Sequence, residues 1–163
     1  MDGEEDSRMN KTTDLCAAET PELTAARLNC PEDCGQLFRL ENGFLREIGE
    51  PCLDAPRMER LERAAGAGRI VFFLAWCGDR AVGMCSVSPC FSTYACADIG
   101  VFDDFYVEPA YRKRGAARLL VRTAECWCRE NGLASMIVGA SDEAMYKSLG
   151  FTTELGPMLA HPV

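Results

Sequence analysis

The sequence predicts an α/β protein built on one mixed sheet, with the element order β-α-α-β-β-β-α-β-α-β and helices on both faces. Three observations predict it. Two β-rich apolar runs, 70–76 and 81–87, flank a Gly78-Asp79 turn and read as a hairpin. A third run, Ile99 to Val107, leads through a basic turn into an amphipathic helix. There Ala117, Leu120, Val121, Ala124 and Cys128 fall at i, i+3, i+4, i+7 and i+11, one apolar face. After Gly132, a helix stop, the nearly all-apolar Ser135–Val138 reads as a short buried strand. A meander followed by β-α-β gives a mixed sheet, because the crossover helix returns the chain parallel.

The remaining elements follow in order. Leu23 to Leu28 reads as a first strand. Pro31-Glu32-Asp33 opens a helix carrying Leu37, Leu40, Phe44 and Leu45 at helical spacing, which Gly49-Glu50-Pro51 ends. A second helix sets Leu53, Met58, Leu61 and Ala64 near one face and stops at Gly66 and Gly68. Pro89 to Ala97 reads as a connection with aromatics. Ser141 or Asp142 caps a brief helix, Glu143 to Leu149, which Gly150 ends, and Phe151 to Leu155 begins a last strand. Residues 1–22 are expected to be a flexible acidic N-terminal tail and residues 23–163 a single domain.

Composition narrows the function classes. A chain of 163 residues, 48% hydrophobic, can bury one full core and is too apolar to be disordered. No apolar run approaches the roughly 20 residues that span a membrane. The start, MDGEEDSRMNKTTD, lacks the basic and apolar regions of a secretory signal. A cytoplasmic protein with no membrane partner is expected. The net charge of -8 sits mostly in the first 25 residues, which hold seven acids and two bases. A basic face for nucleic acid is not indicated, so no nucleic-acid partner is expected. The ten cysteines contain no C-x-x-C pair, and the single histidine, His161, is near the C-terminus. No metal is expected, and most thiols are expected to be small buried apolar groups.

One stretch needs more than folding to explain it. Arg112, Lys113 and Arg114 precede Gly115 at the start of the helix. A helix N-terminus already carries partial positive charge, which suits acids, so added cations there suit a bound anion. The free N–H groups of the first turn bind phosphate, Gly115 lets an anion approach, and Ala116 and Ala117 stay small. A solvated basic turn with an ordinary capping glycine is the plain alternative.

The stretch resembles the acetyl-CoA-binding signature Q/R-x-x-G-x-G/A of the GNAT family of N-acetyltransferases, with Arg112, Gly115 and Ala117 in its three defining places. "FYVEPAYR" is similar to that family's lead-in strand, and "MYKSLGF", Met145 to Phe151, to its closing helix motif. The resemblance implies the GNAT acyl-CoA N-acyltransferase fold, acetyl-CoA as co-substrate and acetyl transfer to an amine. It places the pyrophosphate on the amides of Arg114 to Ala117, with Arg112 and Lys113 at the rim. It runs the pantetheine along the backbone of Phe105, Tyr106 and Val107, in a gap between strands 99–107 and 134–139.

"FDDFYVEP" resembles the diamine and polyamine branch, whose first acid, matching Asp103, serves the amine through a water. Asp103 is one methylene shorter than the glutamate of that branch. Adjacent strand residues face opposite sides, so at most one of Asp103 and Asp104 faces a given cleft. Tyr146 matches the tyrosine that faces the CoA sulfur as general acid, and a phenol of pKa near 10 can donate at neutral pH. The Phe105 amide is the expected oxyanion donor. The stretch between Val138 and Tyr146 is shorter than the usual family loop and lacks its common Asn. Glu108 reads as a surface acid, and Trp76, Phe91, Tyr94 and Tyr106 are aromatic candidates for the acceptor pocket. The expected acceptor is a small-molecule primary amine. A protein N-terminus or lysine, and a non-catalytic acyl-CoA-binding module, stay open, as does a homodimer.

Overall fold

The computed structural model describes residues 22–139 and 141–154. The expected tail, except Glu22, lies outside them, as do Cys16, Leu155 and His161. Five strands, β1 (Leu23–Arg27), β2 (Val71–Cys77), β3 (Arg80–Ser92), β4 (Ala97–Val107) and β5 (Met136–Val138), form one sheet in sequence order. β1 to β4 are antiparallel, and β5 joins β4 in parallel. The helices are α1 (Cys34–Glu47), α2 (Ala55–Gly66), α3 (Ala116–Glu130) and α4 (Glu143–Ser148), with one 3-10 turn at Pro109–Tyr111.

Each sheet face carries its own core. Against α1 and α2, the side chains of Phe72, Leu74, Ala81, Met84 and Tyr106 meet Leu37 and Leu40, with Phe44, Leu61 and Ala65 closing the edges. Against α3, Val71, Phe73, Val82, Cys85, Val87 and Phe102 meet Leu120, Val121, Ala124 and Cys128, with Tyr146, Leu149 and Phe151 alongside. The alternation of β2, Phe72 and Leu74 one way and Val71 and Phe73 the other, explains a strand apolar on both faces.

Four expectations need correction. Pro89 to Ala97 is not a connection: β3 runs to Ser92 and β4 starts at Ala97, so the hairpin is longer and turns only over 93–96. The last strand is not seen over Phe151–Glu154, the part of it that is described. On α3 the buried alanine of the first turn is Ala116, with Ala117 half-buried. The thiols are not mostly buried: among the described residues Cys34, Cys85 and Cys128 are buried, whereas Cys52, Cys90, Cys96 and Cys126 are exposed. Cys126 and Cys128 do point apart, as a two-residue helical offset requires.

Two irregularities in β4 shape everything that follows. Met84 pairs with Tyr106 while Ser86 pairs with Asp103, so two residues of β4 oppose Cys85. This is a β-bulge, and Asp104 sits in it at φ +50°, a left-handed conformation that aspartate tolerates better than most residues. Further, β5 pairs only with Gly100, Val101 and Phe102, so among the described residues no strand covers that edge of β4 from Asp103 to Val107. Gly100 is closely packed against β3: a Cβ there would lie 2.6 Å from Cγ1 of Val87.

Candidate active site

The basic turn lies just beyond the uncovered edge. Lys113 at φ +59° and Gly115 at φ +95° bend the chain sharply into α3. Gly115 is the N-cap and offers no side chain to the first turn. A Cβ there would meet nothing within 4 Å, so the glycine answers a backbone requirement and leaves open space in front of the amides. Among the described residues, none of the backbone amides from 113 to 118 has a hydrogen-bond acceptor. Lys113 and Arg114 are exposed, and the Arg114 guanidinium lies 5.7 Å from the Tyr111 ring centroid. Ala116 is buried under the turn. A pyrophosphate fits this cradle in charge, donor supply and room.

Arg112 has a second set of partners. Its Nε donates to the Val107 carbonyl at 2.8 Å, its Nη2 pairs with Glu47 of α1, and its guanidinium lies 5.8 Å from the Tyr106 ring centroid. It therefore ties the turn to the end of β4 and to α1. Glu108, expected to be a surface acid, is mostly buried and accepts from Arg39 and Arg80.

At the bulge, the rule that adjacent strand residues face opposite sides fails. Ser86, fully buried, donates to Oδ2 of Asp104 at 2.8 Å, and Ser86 is also the register partner of Asp103. Asp103 is exposed, and its Oδ1 accepts the Asp104 amide at 3.0 Å. Burial raises the pKa of Asp104; the Ser86 hydrogen bond opposes this and the charge of Asp103 adds to it. Phe105 turns to the α3 side, with ring centroids 5.5 Å from Phe102 and 6.1 Å from Tyr146.

Tyr146, on α4, reaches this group from beyond β5. Asp142 caps that helix, accepting the Met145 amide at 3.0 Å. The Tyr146 ring packs edge-on against Phe151 at 5.7 Å. Burial lifts its phenol above the usual tyrosine range, and the charges of Asp103 and Asp142 lift it further. A raised phenol keeps its proton at neutral pH. Phe105 thus brings the Tyr146 ring to the end of β4 that β5 leaves unpaired, and the cradle lies just past the end of that strand.

Sequence reasoning missed Glu41. It sits on α1 between Leu40 and Leu45, only 8% exposed, and its Oε2 has no hydrogen-bond partner. Burial, then the charges of Asp104 and Asp103, push its carboxyl up to about 7, against a smaller pull from Arg57. The signal was an acid inside an apolar helical stripe at 37, 40, 41, 44 and 45. Glu41 and Asp104 line one pocket of about 670 Å³ between α1, α2 and the sheet, together with Arg57, Arg60 and Arg69. The aromatic candidates do not line it: Phe91 and Tyr94 are exposed on the hairpin, while Tyr106 and Trp76 pack against the α1 core. A larger cavity, about 1310 Å³ between α3, β5 and α4, reaches Tyr146 but touches none of residues 103–117.

Elsewhere, the sulfurs of Cys30 and Cys34 and the Glu62 carboxylate lie within 4.8 Å of one another, a C-x-x-x-C spacing outside the patterns sought in the sequence. Burial pushes the Cys34 thiol up to about 12, which disfavours the thiolate that metals prefer. Among the described residues no helix is long and apolar enough to cross a membrane.

Comparison with known proteins agrees with this geometry. The model of the acetyltransferase (GNAT) family matches residues 35–151. The aminoglycoside N(6')-acetyltransferase type 1 of Acinetobacter haemolyticus is 36% identical over 58 residues, 32% of this chain and 40% of that protein. The match thus spans less than half of that relative. Among solved structures, a probable acetyltransferase superimposes with a TM-score of 0.75 at 22% identity, over 85% of this chain and 97% of its own. A predicted acetyltransferase with acetyl-CoA from Clostridium acetobutylicum gives 0.72 at 17% identity, over 86% and 96%. At those identities the likeness is one of fold.

Proposed function

The chain belongs to the acetyltransferase (GNAT) family and is by that membership an acetyl-CoA-dependent N-acetyltransferase; from that premise we propose that its acceptor is the primary amine of a small molecule and that transfer is direct, within a ternary complex. The observation that carries the reading is the alignment of the uncovered edge of β4 with the free amides of the α3 N-terminus. A pantetheine arm can hydrogen-bond along Phe105 to Val107 as an added strand, while its pyrophosphate rests on Arg114 to Ala117. Lys113 and Arg114 add charge at the rim, and Arg112 holds the turn in place.

Three tasks then fall to this chain's own residues. Asp103 takes the proton of the ammonium through a water, which frees the nitrogen lone pair for attack. The Phe105 amide, at the bulge, donates to the oxygen of the carbonyl under attack. Tyr146 gives its proton to the departing thiolate, and burial keeps that proton on the phenol until the thiolate forms. A small-molecule acceptor is supported by the match to an aminoglycoside N(6')-acetyltransferase and by a pocket of about 670 Å³, which suits a compact ligand. The test is release of CoA thiol from acetyl-CoA across a panel of small amines and free-N-terminus peptides. Turnover with small amines is expected. Turnover with peptides alone would replace the acceptor assignment, and tight acetyl-CoA binding with no release from any amine would make the chain a binding module.

A further inference from the structure

The pocket beside the bulge is lined by charges of both signs. Two of them are carboxylates. Glu41 is more than nine-tenths buried, with one oxygen that no donor among the described residues satisfies, and Asp104 reaches the same space from β4. A buried carboxylate oxygen without a donor is costly, and an ammonium brings three donors on one cation. Three arginines also line it: Arg57, and the exposed Arg60 and Arg69. The Arg57 guanidinium donates only to the carbonyls of Pro51 and Cys52, at 3.3 and 3.4 Å. The guanidinium groups of Arg60 and Arg69 have no hydrogen-bond or ion-pair partner among the described residues. Leu61 and Ile70 supply an apolar strip in the same pocket.

We propose that this pocket binds an acceptor that is itself two-signed, its ammonium on Glu41 and Asp104 and an anionic group, carboxylate or phosphate, on Arg57, Arg60 and Arg69. The inference rests on the acetyltransferase reading above and narrows its acceptor. A polycation satisfies the two carboxylates but sets its remaining charges against three guanidinium groups. A simple alkylamine leaves those groups unused. An amine joined to an anion by a short apolar spacer meets every charged group of the pocket. Asp104 is adjacent to Phe105 in the bulge, so an amine bound there stands next to the edge of β4 along which the thioester is expected to lie. Burial and the neighbouring charges raise both carboxylates, and a seated cation relieves that cost.

The test compares acceptors of equal length in the full chain with acetyl-CoA: 5-aminopentanoate, 1-aminopentane and 1,5-diaminopentane, with O-phosphoethanolamine and ethanolamine as the phosphate arm. The expected result is a kcat/KM at least tenfold higher for the anion-bearing member of each set. Whichever arm shows the preference identifies the anion. In an Arg60→Gln/Arg69→Gln double variant, the KM of the anion-bearing acceptor should rise at least tenfold, bringing it level with its uncharged match. Glu41→Gln should raise the KM of every amine without lowering the melting temperature, a split that a merely structural role would not produce. Equal rates for all amines, or a preference for the diamine, overturn this inference and leave the acetyltransferase reading intact. Acetyl-CoA binding with no thiol release from any acceptor overturns that reading and this inference with it.

Discussion

At the scale of single residues, three side-chain or backbone features can be tested separately. Tyr146→Phe removes only the phenolic proton and keeps the ring contacts to Phe105 and Phe151. Turnover should fall at least tenfold, measured by thiol release, while calorimetry shows acetyl-CoA affinity near wild type. Gly115→Asp adds a side chain at φ +95° and a negative charge in front of the free amides. Acetyl-CoA affinity should fall at least tenfold by the same calorimetry; an unchanged affinity would remove the cradle from binding.

Glu41 gives a pH dependence of definite sign. Its carboxyl is raised from 4.5 to about 7, so the folded state holds its proton where the unfolded chain has lost it. Stability is therefore lost as pH rises through the window from 4.5 to 7, by on the order of 3 kcal/mol if the whole shift is expressed. Glu41→Gln lacks this loss, so urea unfolding of the two proteins should converge near pH 4.5 and favour the variant above pH 7. The sequence carried Gly115 and Tyr146 plainly, because each sits in a motif with fixed spacing. Glu41 was not legible in that way. An acid in an apolar stripe gains meaning only from what faces it, and what faces it is set by a distant strand.

At the scale of elements, the bulge and the short β5 are the features that matter. Alternation of side chains along β4 was expected to separate Asp103 from Asp104, and regular pleating would have done so. The left-handed backbone at Asp104 breaks the alternation and brings Asp104 to Ser86 and toward Glu41. Nothing in the residue type announces this, since the position holds aspartate rather than glycine. The extent of β3 and β4 was underestimated for a related reason. Pro89 and the aromatics near it suggested a connection, yet Pro89 pairs with Gly100 in the ladder. Helices α1 and α3, in contrast, were legible from periodicity alone, because their apolar stripes meet flat sheet faces. Around Gly100, packing leaves no slack. Gly100→Ala should cost about 1–3 kcal/mol by denaturant unfolding, because its methyl group would collide with Val87 and crowd Leu133.

At the scale of the whole molecule, a ligand that bridges α3 and β4 adds a link between elements that already share a core. Binding to the folded state alone stabilises it by mass action. At a free acetyl-CoA concentration one hundred times its dissociation constant, the gain should be about 2.7 kcal/mol. A rise in melting temperature that grows with the logarithm of acetyl-CoA concentration is the expected readout. Gly115→Asp should shift that dose-response to higher concentration, which separates loss of affinity from loss of fold. The GNAT fold and the direction of the chemistry were legible at this scale from three motifs in order. The acceptor was not, because the pocket proposed for it is assembled from α1, α2 and the sheet, whose residues are scattered along the chain.

The three-residue pairing of β5 has an evolutionary corollary. Each further rung added to that seam would stabilise the protein and, in the same stroke, fill the slot where the thioester arm is meant to lie. Selection for hardiness alone would thus zip the strands shut and leave a sturdy, idle protein. On the proposed reading, the short seam trades some robustness for a place to bind.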